Sequence, residues 1–139
     1  MDPSSRYLTF HGTIILLIGL LCGAPYGRAI NRGAAAHIVQ SWRVAHLSLP
    51  MGAILMLAVA TPLTSFRVAG DIKQLLADLL IISGYSFCVA LPLAALAGER
   101  GLSFRGPIAA KIIFSGYIVG AVTSLLAAVA LIYAAFKSL

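Results

Sequence analysis

The sequence predicts an all-α integral membrane protein, a single four-helix transmembrane bundle spanning residues 1–139. Three observations carry that expectation. Hydrophobic residues make up 60% of the chain and charged residues 10%, with a mean hydropathy of +0.99; a water-soluble domain of this length would need far more surface charge. The charges are gathered into short clusters. Between those clusters lie four apolar runs, at about 7–24, 44–63, 75–97 and 112–136, each close to the ~20 residues that cross a hydrocarbon core as a helix. Runs of that length without apolar/polar alternation exclude a membrane barrel.

The first run follows Arg6 and contains His11, Gly19, Cys22 and Gly23. An apolar core after a basic residue, with a cysteine behind it, also suits a signal peptide. Leu21 before the cysteine argues against lipoprotein cleavage, and removing the run would leave an odd number of spans, so a membrane helix is expected. The second run opens Val44-Ala-His-Leu-Ser-Leu. Pro50, four residues after His46, removes the amide that would have bonded the His46 carbonyl, and predicts a bend. In the third run Pro92 does the same to the carbonyl of Cys88. Two bent helices with freed carbonyls suit a pocket, and equally suit plain kinks made good by Ser48 or Ser86.

Gly116 and Gly120 on the fourth run, like Gly19 and Gly23 on the first, form small-xxx-small pairs that let helix backbones approach. The first and fourth helices are therefore expected to pack closely, on each other or across a subunit boundary. Four short helices enclose little volume, so a boundary in a homo-oligomer is an expected ligand site.

The net charge is +6, but the basic residues are divided among clusters flanking the helices, without interleaved aromatics. That pattern fits a lipid bilayer and not a nucleic acid. Arg28, Arg32, Arg43, Arg100, Arg105 and Lys111 lie on the side of the two loops, and Arg6, Arg67, Lys73 and Lys137 on the side of the termini. This small excess leaves orientation open. Cys22 and Cys88 lack CxxC spacing and read as packing residues. No Walker loop, GxGxxG, HExxH or GxSxG is present.

The candidate site is built around His46, because an ionisable group just inside a membrane helix usually has a task. Counting helical rise places Cys22, Tyr26, Pro92, Ser115 and Tyr117 nearest its level, with Tyr117 the most useful polar neighbour. Arg43, three residues earlier, shares its face at headgroup depth. It is placed to meet an anionic group beside whatever His46 holds. His11 enters from the opposite side and is expected to lie most of a bilayer away. His37 is expected in a solvated loop, and Asp78 at the interface or paired with Lys73 or Arg67. One histidine cannot make a zinc site; it suffices for haem. A hydrogen-bonded structural histidine is the alternative, and the residues alone leave both open.

Phe10-His11-Gly12, Arg43-Val-Ala-His46 and Glu99-Arg100-Gly101-Leu102-Ser103-Phe104 together resemble styrene oxide isomerase. His11-Gly12 followed by Leu-Leu-Ile-Gly-Leu-Leu, and Ala45-His46-Leu47, also resemble the hydroxylaminobenzene mutases. The resemblance implies a small membrane isomerase, a trimer binding haem b near a subunit boundary, with His46 ligating iron and Arg43 near the cofactor's charged edge. It implies a small apolar aromatic substrate, an epoxide opened by the iron as Lewis acid and closed to a carbonyl by hydride shift. A mutase would instead move a hydroxyl from nitrogen to the ring. Three positions depart from the pattern. The asparagine expected six residues after the ligand is Gly52, and the asparagine and tyrosine expected on the third helix are Phe87 and Leu91. Tyr85 and Tyr117 are then the candidates to orient a substrate. A non-catalytic membrane subunit would need only the glycine faces and basic flanks. A transporter would need more polar residues at membrane depth than Asp78 alone.

Overall fold

The computed structural model describes residues 2–139. It contains α1 (Pro3–Leu21), α2 (Gly23–Asn31), α3 (Ala36–Leu63), α4 (Gly70–Ala97) and α5 (Ile108–Phe136). The chain is 82% helix, with no strand among the described residues. α1 and α2 follow one another as a single span, so four helices are long and apolar enough to cross a membrane.

Every span begins earlier than its apolar run. The largest difference is in α3, which starts at Ala36 where the run starts at 44. An apolar run marks what hydrocarbon demands, whereas a helix continues wherever its backbone stays paired. At ~1.5 Å per residue the 28 residues of α3 reach about 42 Å, beyond the ~30 Å core and into the headgroups. His37 therefore lies in the first turn of a helix and not in the expected loop, although it is exposed.

α3 runs unbroken through Pro50 and Pro62, and α4 through Pro92. The break falls in the first span, at Cys22, for two local reasons. Pro25 has no amide for the Leu21 carbonyl, and the Gly19 carbonyl accepts a side-chain hydrogen bond instead. α4 ends on Gly98 at φ +66°, a left-handed cap that glycine adopts without steric cost.

α1, α3 and α4 pack on one another, while α5 touches α4 alone. One core cluster includes Leu8, Ile15, Met56, Leu63 and Leu76, and the other Cys22, Trp42, Ala45, Leu49 and Leu91. The two glycine pairs do not meet. Gly19 and Gly23 receive Pro50 and His46 of α3, and Gly116 and Gly120 receive Ala90 and Phe87 of α4. Asp78 pairs with neither Lys73 nor Arg67. Its Oδ1 accepts from Gln74 Nε2 at 2.8 Å, one turn back on the same face, and Gln74 Oε1 accepts from Ser4 Oγ at 3.0 Å. Lys73 lies 3.9 Å from Asp2.

Candidate functional site

His46 projects from α3 into the seam where α1 gives way to α2. Its ring rests on Gly23, where a methyl group would stand 2.9 Å from Cε1 and 3.2 Å from Nδ1. Any larger residue would displace the imidazole. Nδ1 lies 3.0 Å from the Gly19 carbonyl oxygen. A carbonyl can only accept, so Nδ1 carries a proton, and in the neutral ring that leaves the lone pair on Nε2. The ring is half-buried, and the Tyr26 ring lies 6.1 Å away at 32°. Arg43 stands one turn earlier on α3, exposed.

The two tyrosines lie elsewhere. The Tyr85 hydroxyl is hydrogen-bonded to His11 Nδ1 at 2.9 Å, and the Tyr7 ring meets His11 edge-on at 4.4 Å. This group clasps α1 to α4. His11 is nearer to His46 than a bilayer's width, because His11 and Gly19 are separated by about 12 Å of helical rise along α1. Tyr117 packs beside Phe87, with ring centroids 6.5 Å apart. It faces a groove of about 350 Å³ at the loop end, shared with His37, Gln40 and Arg100.

A second cavity, about 330 Å³, fills the slot left because α3 and α5 do not touch. α4 forms its floor with Phe87 and Leu91, α3 one wall with Ser48 and Gly52, and Ser124 of α5 reaches it from the other side. The lining is otherwise apolar. On α3, positions 46 and 48 differ by about 200° around the axis, so Ser48 faces away from the imidazole, while Leu49 and Met56, which also line the cavity, lie within about 80° of it. Among the described residues no group of three or more His, Cys, Asp or Glu could hold a metal ion. A metal held by one protein ligand requires no such group.

Gly52, Phe87 and Leu91, the three positions singled out from sequence, thus line one cavity. Ser48, Ser83 and Ser124 also line it; sequence reasoning named Ser48 only as a partner for a freed carbonyl and passed over the other two, because isolated serines in an apolar run look like ordinary helix residues. The styrene oxide isomerase family model matches residues 4–136. The chain belongs to the styrene oxide isomerase family. No curated protein matches it. As a member of the styrene oxide isomerase family with four membrane-spanning helices, it is an integral membrane protein, and the family name points to an isomerase.

Proposed function

We propose that this protein is a membrane isomerase that rearranges a small apolar epoxide, of the styrene oxide type, to a carbonyl compound with haem b held by His46. The observation that carries this is the seat of the imidazole. Nδ1–H is tied to the Gly19 carbonyl and the ring lies where Gly23 has no Cβ. A second-shell carbonyl of this kind fixes the tautomer and ring orientation of a ligating histidine and raises its basicity. When bound, ferric haem supplies a Lewis acid for the substrate oxygen.

The chain's own residues supply the rest. Arg43, on the same face one turn nearer the headgroups, is available to pair with a carboxylate at the cofactor's edge. The slot is apolar apart from its serines and is sized for a small apolar aromatic molecule; about 330 Å³ is at the lower end of the ~300–1,000 Å³ usual for ligand pockets. No acid, base or nucleophile lines the slot, which suits a rearrangement that consumes no second substrate. Because Ser48 and His46 face apart on α3, the working site is read as composite, His46 of one copy meeting the slot of the next in a homo-oligomer such as a trimer. Tyr117 packs beside Phe87 of the slot, while the Tyr85 hydroxyl is engaged by His11.

The test is the visible spectrum of detergent-purified protein beside His46→Ala, both expressed with haem precursor. A Soret band present in the parent and absent in the variant is expected; no band in either overturns the haem assignment. A panel of aryl epoxides against arylhydroxylamines then separates epoxide rearrangement from hydroxyl migration, the alternative chemistry on this scaffold.

A further inference from the structure

The slot between α3 and α5 contains three hydroxyls, and their hydrogen bonds distinguish them. Ser83 Oγ donates to the Gly120 carbonyl at 2.9 Å, and Ser124 Oγ donates to the Ala121 carbonyl at 2.8 Å. Each hydroxyl has one proton to give, so neither can donate to a ligand without breaking a bond inside the bundle. Ser48 also lines the slot. Its hydroxyl has no hydrogen-bond partner among the described residues, although Ser41 on the same helix and Ser86 on α4 donate to the carbonyl one turn back. Ser48 is exposed where it lines the slot, so its proton is free for an acceptor that enters, and in lipid a hydroxyl without an acceptor carries a cost.

The remaining walls make Ser48 the one directional contact. Gly52, one turn further along α3, contributes no side chain, and a methyl built on it meets nothing within 4 Å. Phe87 and Leu91 offer only apolar surface. An ether, epoxide or carbonyl oxygen accepts hydrogen bonds and gives none, so among the slot's own side chains only a donor can orient an oxygenated apolar molecule. Resting on the epoxide isomerase proposal for the identity of the substrate, we infer that Ser48 is the substrate-orienting residue, donating its hydroxyl proton to the single oxygen of an otherwise hydrocarbon ligand. The chain thus orients its ligand by one serine on α3 in a slot with no amide or phenol of its own.

Binding and turnover test this separately. The full-length protein in detergent is titrated with acetophenone and with ethylbenzene, which differ by one acceptor oxygen, and binding is read by saturation-transfer NMR in the parent, Ser48→Ala and Ser48→Thr. The parent is expected to favour the ketone over the hydrocarbon by about two- to tenfold, the range of one net hydrogen bond. Ser48→Ala is expected to abolish that preference while still binding ethylbenzene, and Ser48→Thr to restore it. An unchanged preference in Ser48→Ala, or no binding of either ligand to the parent, overturns the inference. If aryl epoxides are turned over, Ser48→Ala raises KM more than it lowers kcat and leaves the Soret band in place. Ser48-dependent binding without epoxide turnover refutes the isomerase proposal and upholds this one.

Discussion

The imidazole of His46 lies flat against a position where one carbon atom more would collide with it. A methyl at Gly23 would stand 2.9 Å from Cε1, well inside ordinary contact, so Gly23→Val must push the ring off the Gly19 carbonyl. With His46 holding haem as proposed, haem titration of the purified variant is expected to show affinity weakened at least about tenfold, the lower end of losses when a ligating histidine's hydrogen-bond partner is removed, while far-UV circular dichroism stays that of the parent. His46 itself was legible in the sequence because an ionisable group in an apolar run stands out. Gly23 was legible only as half of a spacing. What it accommodates comes from a different helix, and a contact of that separation in sequence leaves no local pattern.

Individual helices are held by a few polar clasps and several close approaches. The His11–Tyr85 hydrogen bond at 2.9 Å joins α1 to α4; interhelical bonds in membranes contribute ~0.6 kcal/mol on average and at most ~1.7. His11→Phe and Tyr85→Phe are each expected to lower stability by about that amount. Their double variant should lose less than the sum, measured by unfolding in denaturing detergent, with the haem spectrum unchanged. On the other flank, a methyl at Gly120 would stand 2.8 Å from Phe87 ring atoms. Gly120→Leu is expected to cost ~1–3 kcal/mol through overpacking and to weaken ligand binding in the slot, since Phe87 forms part of its floor. The small-xxx-small spacing showed which faces of α1 and α5 are smooth. It carried no information on which helix meets them, and the spans pair through α3 and α4 instead.

Across the whole chain, class, span number and approximate span positions follow from composition, because a bilayer imposes a length and a polarity on anything crossing it. Helix ends do not follow, since in the headgroup region polar and apolar residues serve equally well. The slot was equally hidden: it exists because α5 leans on α4 without reaching α3, an arrangement set by three pairs of surfaces at once. The composite site proposed above has a direct consequence. Chains carrying His46→Ala and chains carrying Gly52→Trp, which fills the slot, are each expected to be inactive alone. Co-expressed so that mixed assemblies form, they should recover part of the parent isomerase activity. Failure to recover any, with mixed assembly shown by differential tags, would place the whole site within one chain.

The slot opens sideways between two helices whose outer residues, Met51, Ile54 and Leu55 on α3 and Leu125 and Val129 on α5, are exposed and apolar. Under the proposed function an apolar epoxide would enter from the surrounding acyl chains, past whatever part of this edge the neighbouring copy leaves uncovered. A hydrocarbon epoxide partitions into that phase at ~0.8 kcal/mol for each buried methylene, so the concentration that matters is the mole fraction dissolved in the surrounding lipid or micelle. Diluting the protein with extra detergent or vesicles at fixed total substrate should slow the reaction, and the apparent KM should rise in proportion to the amphiphile added. Surface dilution of this kind makes the membrane's own composition a determinant of flux through the enzyme.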